Sequence, residues 1–201
     1  MVFEIYIPSQ TKNSVLYIFQ PKKTNMAKEY ETKVLEINAN KIRKKLKKMG
    51  AKKIFNKVMR RWVFDLNIKG GDWIRVRDTG HHVTLTYKCR KKGKRIDNTE
   101  EIEVHVSNFE DVVRILSKLK FRGCYYQENR REMYKLDGIE FCIDTWPKIP
   151  TYLEVESANE KKVKQGLKML GLDGKDIGNI SVWDVYSKYG IDLHSFKNLC
   201  F

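Results

Sequence analysis

The sequence has few of the features that would place it in several common protein classes. Its cysteines are scattered: Cys89, Cys124, Cys142 and Cys200. They form no Cys-x-x-Cys pair and no spacing that would join the four histidines in a zinc site. No apolar run approaches the roughly 18 residues that span a membrane, and the start of the chain lacks the pattern of a signal peptide. We therefore expect a cytoplasmic protein with reduced thiols and no membrane association.

Acidic residues are scarce relative to basic ones. The 201 residues include 40 Lys and Arg against 25 Asp and Glu, which gives a net charge of +15 at pH 7. Such an excess favours an anionic partner, such as nucleic acid, anionic lipid or a small molecule that carries several phosphates. A solvated, lysine-rich surface would give the same total, so charge alone does not choose among these. The apolar content of 41% is sufficient for a folded domain.

The periodicity of apolar residues predicts a chain of mixed helices and strands. Spacings of three and four predict helices over 38–51, 107–121, 157–172 and 181–190. Alternation predicts strands near 28–38 and over 51–66, 73–78, 82–90, 98–106, 122–137, 139–144 and 151–157. These elements indicate an α+β fold built on a large antiparallel sheet or barrel. We expect residues 1–25 to be a loosely ordered N-terminal extension and residues 26–201 to form a single domain.

Nearly every predicted strand has one face of charged side chains, because residues i and i+2 share a face. The first strand places Glu29, Glu31 and Lys33 together. Later strands repeat the pattern with Arg75 and Arg77, Lys88, Glu101 and Glu103, and Glu154 and Glu156. A sheet with one wet face explains such alternation in any single strand. It does not explain the segregation of sign, since two carboxylates about 7 Å apart repel each other unless a cation lies between them.

A closed barrel with its charged face inward would account for this segregation. Glutamates in the lumen would hold hard divalent cations, because Mg²⁺ and Mn²⁺ favour carboxylate oxygen and water as ligands. Arginines and lysines on the other strands would bind phosphate oxygens. A lumen of this kind is suited to a linear triphosphate.

Taken in order, these motifs resemble those of the CYTH superfamily, the triphosphate tunnel metalloenzymes, which include class IV adenylyl cyclases and thiamine triphosphatases. The Glu-x-Glu-x-Lys signature of that superfamily stands here as Glu29, Glu31 and Lys33. Its later motifs match Arg75 and Arg77, Lys88, Glu101 and Glu103, Arg131 and Tyr134, Asp144, and Glu154 and Glu156. The resemblance covers about residue 27 to the C-terminus. One departure is Asn129, where relatives often carry a second basic residue.

The resemblance implies an eight-stranded antiparallel β-barrel tunnel with a charged lumen and flanking helices, which requires Mg²⁺ or Mn²⁺ and takes a triphosphate-bearing small molecule. The implied metal ligands are Glu29, Glu31, Asp144, Glu154 and Glu156. The implied triphosphate-binding residues are Lys33, Arg75, Arg77, Lys88 and Arg131. The implied catalytic residues are Lys33, Arg75, Glu101 and Glu103. Trp73 is in phase with Arg75 and Arg77, so it either contacts an organic group of the substrate or packs at the barrel rim.

Three functions are compatible with these features. We favour a phosphohydrolase that releases the terminal phosphate of tripolyphosphate, thiamine triphosphate or a nucleoside triphosphate, because the last Glu-x-Glu is complete and no separate adenine-recognition motif is visible. The alternative is a class IV adenylyl cyclase, which makes cyclic AMP and pyrophosphate from ATP with the same groups. The third is non-catalytic binding of polyphosphate or RNA by the basic helix 38–51, which we disfavour because no aromatic platform accompanies that helix. The sequence leaves open whether the protein forms a homodimer.

Overall fold

A computed structural model describes residues 3–5, 16–18, 27–66, 72–90, 99–121 and 123–201. Within these ranges, side chains are described from residue 30 onward, with the exception of residue 90. Most of the expected extension 1–25, and the side chain of Glu29, therefore lie outside the described residues. In that extension, strands β1 (Phe3–Ile5) and β2 (Leu16–Ile18) pair antiparallel. That residues 26–201 form one domain stays a prediction.

The eight long strands lie within one residue of their predicted bounds, except that the first ends at Val34, four residues before the predicted end. They are β3 (Ala27–Val34), β4 (Lys52–Asp65), β5 (Trp73–Asp78), β6 (Val83–Arg90), β7 (Thr99–Val106), β8 (Gly123–Leu136), β9 (Ile139–Thr145) and β10 (Tyr152–Ser157). A two-residue strand, β11 (Asn198–Leu199), pairs parallel with the first half of β8.

Strands β3 to β10 form a closed circuit. Each is hydrogen-bonded antiparallel to its neighbours in the order β8-β4-β5-β6-β7-β3-β10-β9, and β9 pairs again with β8. The β8–β9 hairpin turns at Asp137 and Gly138, whose φ values of 51° and 75° are those of the Asp-Gly turns that join adjacent strands. The seam between β3 and β7 is the shortest, with three residue pairs. The predicted eight-stranded antiparallel barrel is therefore confirmed.

Within the described ranges four α-helices flank the barrel, and each begins after a polar residue that caps its first turn. They are α1 (Ala39–Lys48), α2 (Phe109–Ser117), α3 (Glu160–Leu170) and α4 (Val182–Lys188). Asn38, Asn108 and Asn159 accept a backbone N–H at the start of the first three, and Ser181 forms a capping box with Asp184 in the fourth. None of the helices in the described ranges combines the length and apolar character that crossing a membrane requires.

The hydrophobic core lies outside the barrel wall, between the strands and the helices. Helices α1 and α3 cover β3, β9 and β10 through residues such as Leu46, Phe141, Leu153 and Leu167. Helix α2 covers β4 and β5 in the same way. The apolar phase of these strands packs against the helices, whereas Ile102 and Val104 of β7 are exposed. The opposite, polar phase consequently points into the barrel.

Candidate functional site

The inward side chains of the barrel surround a cavity of about 250 Å³. Most of the predicted site residues line it: Glu31, Lys33, Trp73, Arg75, Arg77, Lys88, Glu101, Glu103, Arg131, Glu154 and Glu156. Asp144 lies behind this surface and is wholly buried. The barrel thus brings together charged residues that are far apart in the sequence.

Three carboxylates form a cluster on the two neighbouring strands β3 and β10. Glu31, Glu154 and Glu156 each offer one carboxylate oxygen, and these three oxygens lie within 4.8 Å of one another. The spacing arises because Glu31 and Glu156 are directly opposite each other across the two strands. Three convergent carboxylate oxygens suit a hard divalent cation such as Mg²⁺ or Mn²⁺, with water or substrate oxygen as the remaining ligands. We call this surface the carboxylate wall.

Lys33 forms ion pairs with two of the three carboxylates. Its Nζ lies 2.8 Å from Glu31 Oε1 and 3.2 Å from Glu154 Oε2. Burial by itself would lower the pKa of the Lys33 ammonium, but Glu31 and Glu154 outweigh burial and raise that pKa above its ordinary value. Lys33 therefore stays charged between the two carboxylates.

Arg131, on β8, supports the same cluster from the side. It donates to both carboxylate oxygens of Asp144, at 2.8 and 2.6 Å, and to Glu154 at 2.7 Å. Burial would raise the pKa of Glu154, but Arg131 and Lys33 outweigh burial and hold it well below its ordinary range. The Asn129 amide also donates to Asp144, at 3.4 Å. In this structure Asp144 orients Arg131, and its predicted role as a metal ligand stays a prediction, as does that of Glu29.

The opposite side of the tunnel carries arginines. Arg75 and Arg77 on β5 are joined by Arg61 on β4, which also lines the cavity. We call these three residues the arginine wall. In the eight-stranded circuit β4 lies four strands from β3, and β5 lies four strands from β10. The arginine wall therefore faces the carboxylate wall across the cavity.

The arginine wall has less negative charge beside it than the carboxylate wall has positive charge. Among the described residues, Glu103 lies 3.4 Å from the Arg75 guanidinium and 4.0 Å from that of Arg77. The Nε atoms of Arg75 and Arg77 are buried with no hydrogen-bond partner in the described structure. Burial, with the fields of Arg75 and Arg131, lowers the pKa of Arg77 to about 10. This wall is arranged to receive an anion.

The middle Glu-x-Glu pair lies between these two walls, on β7. Lys88 Nζ is 3.0 Å from Glu101 Oε2, and the Thr86 hydroxyl donates to Glu103 Oε2 at 2.6 Å. Burial would raise the pKa of Glu103, but the Thr86 hydrogen bond and the nearby Arg75 lower it below its ordinary value. Glu103 is therefore ionised at neutral pH and held in one orientation.

The residues that line the cavity and were missed by the sequence analysis include Arg61, Glu140 and Trp183. Arg61 follows Arg60 directly, and only the strand register tells which of the two points inward. Glu140 shares the inward phase of β9 with Asp144, a signal that could have been used. Trp183 comes from α4, whose preceding segment is held to β3 by the Ile177 N–H, which donates to the Lys33 carbonyl at 2.9 Å. The periodicity of the sequence does not reveal such a long-range contact.

Trp73 lies where the prediction put it, on the cavity surface beside Lys88. Its ring packs edge-on against Trp183, with centroids 6.5 Å apart. Trp183 in turn stacks on His194 at 5.1 Å. The indole Nε1 of Trp183 is buried with no hydrogen-bond partner among the described residues. Trp73 and Trp183 thus form an aromatic surface beside the charged cavity, and the Trp183 indole N–H has no hydrogen-bond acceptor among the described residues.

Known proteins share both the sequence and the fold. The sequence matches the CYTH domain family over residues 27–177. A protein of Methanocaldococcus jannaschii named "Putative adenylate cyclase MJ0240" is 34% identical over 141 residues, which cover 66% of this chain and 81% of that protein.

Solved structures extend this likeness to the fold. The PH1012 protein of Pyrococcus horikoshii OT3 has a TM-score of 0.63 at 24% identity, covering 74% of this chain and 93% of that one. A "putative adenylate cyclase" of Vibrio parahaemolyticus has a TM-score of 0.65 at 12% identity, covering 81% of this chain and 99% of that one. Because the family match spans most of its residues, this chain belongs to the CYTH domain family.

Proposed function

We propose that this protein is a divalent-metal-dependent phosphohydrolase that releases the terminal phosphate of a triphosphate substrate. The observation that carries the proposal is the division of one cavity into a cluster of three carboxylates and a facing set of arginines. A linear triphosphate with its cation has the complementary arrangement, since the cation suits the carboxylates and the phosphate oxygens suit the guanidinium groups.

Glu31, Glu154 and Glu156 would hold the cation, Mg²⁺ or Mn²⁺. When bound there, it would offset phosphate charge and polarise a phosphoryl oxygen. Lys33 has three N–H donors, and Glu31 and Glu154 lie within ion-pair distance of its Nζ. A further N–H of Lys33 can therefore donate to a phosphate oxygen next to the metal cluster.

The other cations of the cavity would bind the rest of the triphosphate. Arg75 and Arg77 present guanidinium groups whose geometry matches two phosphate oxygens at once. Lys88 and Arg131 lie on the strands to either side. Lys88 would act as a point charge. Arg131, whose guanidinium donates to two carboxylates, would add positive charge. These side chains would stabilise the charge that builds up as the phosphorus–oxygen bond breaks, because they are fixed before the reaction begins.

Glu103 is our candidate for the residue that orients the attacking water. The Thr86 hydroxyl fixes one of its carboxylate oxygens at 2.6 Å, so the carboxylate can accept a hydrogen bond from water in a defined direction. Glu101, held by Lys88, would assist from the same strand. In this scheme Glu101 and Glu103 accept hydrogen bonds, and then a proton, from the attacking water. They do not bind phosphate, because carboxylates and phosphate repel each other.

The aromatic surface at Trp73 and Trp183 favours a substrate with an aromatic ring, such as a nucleoside triphosphate or thiamine triphosphate. An indole face can stack on such a ring, and the buried Trp183 Nε1 can donate a hydrogen bond to it. Inorganic tripolyphosphate would use the charged cavity alone.

The second candidate is a class IV adenylyl cyclase, which is favoured by the name of the Methanocaldococcus jannaschii relative at 34% identity. In that reaction a ribose 3′-hydroxyl attacks the α-phosphorus and pyrophosphate leaves. The same arginines and lysines would then hold the leaving pyrophosphate. The two reactions differ in products, so product analysis separates them.

The test is to incubate the purified protein separately with tripolyphosphate, thiamine triphosphate and ATP, each with Mg²⁺, Mn²⁺ or EDTA. Metal-dependent release of orthophosphate supports the hydrolase, and the fastest substrate identifies its class. Cyclic AMP with pyrophosphate supports the cyclase. If no triphosphate is turned over with metal, both enzymatic proposals are wrong, and binding of polyphosphate or RNA by helix α1 becomes the function to test.

A matched pair of variants links this activity to the cavity. Arg75→Gln should lower kcat/KM by about 100- to 1000-fold, because it removes a fixed donor to the reacting phosphate. Arg60→Gln is the control, since Arg60 binds Asp78 and Glu110 outside the tunnel. Equal activity of the two variants would contradict the role of Arg75.

A further inference from the structure

We infer that Arg61 is an additional substrate-binding residue, which holds a phosphoryl group of the substrate against the side of the tunnel that faces the metal cluster. This inference rests on the proposed function, and it concerns a residue outside every motif that pointed to that function.

The position of Arg61 follows from strand register. On β4 it is paired with Arg77 on one side and with Gln127 of β8 on the other. Its inward neighbours on the same strand are Met59 and Val63, which also line the cavity. Arg61 is therefore at the same level of the tunnel as Arg77, on a strand that otherwise offers apolar side chains.

Its contacts fix the guanidinium in one plane. Nε and Nη2 donate to the Gln127 side-chain oxygen at 3.0 and 2.8 Å. The Trp146 ring lies against the same group, with its centroid 4.4 Å from Cζ. These contacts use two of the five N–H groups of a guanidinium. The others can bind a ligand without any rearrangement of the side chain.

The charge of Arg61 has no carboxylate beside it among the described residues, unlike Arg131, which binds Asp144 and Glu154. Burial and the fields of Arg75 and Arg77 lower the pKa of Arg61 below its ordinary value. A buried cation without a counter-ion destabilises the folded protein. Packing alone does not explain a cation at position 61, whereas the binding of an anion there does.

The anion that fits is a phosphoryl group. A planar guanidinium presents two parallel N–H donors to two oxygens of phosphate, and it does so best where water is excluded. Arg61 and Arg77 are directly paired across adjacent strands, so one phosphoryl group can bridge them. The metal cluster would hold the other side of the same triphosphate across the cavity.

The experiment compares steady-state kinetics and tripolyphosphate binding for wild type, Arg61→Gln, Arg61→Lys and Arg60→Gln. We expect Arg61→Gln to raise the KM and the Kd for tripolyphosphate by about 10- to 100-fold, the effect of one lost charged hydrogen bond. Its thermal midpoint should equal or exceed that of the wild type. Arg61→Lys should recover part of the affinity, and Arg60→Gln should match the wild type.

The outcomes separate the inference from the proposed function. If the wild type turns over triphosphate with metal but Arg61→Gln keeps its KM and Kd within twofold, the inference is wrong and the hydrolase stands. If Arg61→Gln unfolds, the folded Arg61→Lys protein decides the matter, since unchanged affinity there also contradicts a bidentate contact. If the wild type neither binds nor hydrolyses triphosphate, the proposed function fails and this inference fails with it.

Discussion

The two walls of the tunnel handle charge in opposite ways. On the carboxylate wall, Glu31 and Glu154 have a cation within 3.2 Å, supplied by Lys33 and Arg131. On the arginine wall one carboxylate serves two arginines, because Glu103 lies 3.4 Å from Arg75 and 4.0 Å from Arg77, and Arg61 has no carboxylate beside it among the described residues. One wall is balanced by its own protein neighbours, and the other depends on what enters the cavity.

This difference indicates what each wall does before substrate arrives. Lys33 and Arg131 keep Glu154 ionised, and Lys33 also pairs with Glu31, so in the proposed function the carboxylate wall would be ready for a cation at neutral pH. The three guanidinium groups have one nearby carboxylate, Glu103, among the described residues, so in the proposed function a polyanion would supply the missing negative charge. Three further predictions test this comparison, in order of the expected size of the effect.

The largest effect should come from the carboxylate wall. Glu156→Gln removes one oxygen ligand from the cluster of three, and we expect the metal-dependent kcat/KM to fall by about 100-fold or more. A titration of activity with Mg²⁺ should also shift to higher concentration. Glu160→Gln is the matched control, because Glu160 lies on the exposed side of α3 beside Lys164. If the Mg²⁺ titration of Glu156→Gln matches that of the wild type, Glu156 is not a metal ligand.

An intermediate effect should come from the arginine wall. Tripolyphosphate at about 100 times its Kd should raise the thermal midpoint by about 5 to 10 °C. Part of this rise should persist in EDTA, since the arginines require no metal to attract phosphate. Differential scanning fluorimetry with tripolyphosphate, orthophosphate or Mg²⁺ alone makes the measurement. The comparison fails if Mg²⁺ alone stabilises the protein and tripolyphosphate does not.

The smallest effect should be on the free energy of unfolding at acidic pH. The pKa of Glu154 is lower in the folded protein than in the unfolded chain, because Arg131 and Lys33 outweigh its burial. Its contribution to stability is therefore present above the unfolded pKa of about 4.3 and is lost as the pH falls through the lower, folded-state pKa. Urea unfolding between pH 3 and pH 7 should show the free energy of unfolding falling less in Glu154→Gln than in the wild type. Parallel curves for the two proteins would contradict this assignment.

Most of the fold was predictable because local signals and global structure agree. Most strands alternate apolar residues with polar ones, and the Asp137–Gly138 turn is encoded by its own two residues. The helices begin at asparagine or serine caps that are visible in the sequence. Closure of the barrel followed from the segregation of charge and from the family resemblance.

The site was predictable where charged residues repeat at i and i+2 on one strand, and at Lys88 and Arg131, which the family resemblance supplied. Arg61 was missed because it stands alone in its phase between Met59 and Val63. Asp144 presents a second difficulty. Strand alternation predicts that its side chain points inward, but it does not predict whether the carboxylate binds a metal ion or the guanidinium of Arg131. Such distinctions depend on which strands are neighbours around the barrel, and that information is not local.

The hydrogen bond from Ile177 N–H to the Lys33 carbonyl has a mechanical consequence. Lys33 joins the glutamates of β3 and β10, and the segment that begins at Ile177 leads within a few residues to Ser181, Val182 and Trp183 at the cavity surface. The backbone that carries the central lysine and the backbone that leads to the aromatic surface are therefore one connected piece. A shift of the β3 backbone at Lys33 would therefore act directly on the segment that leads to the aromatic surface.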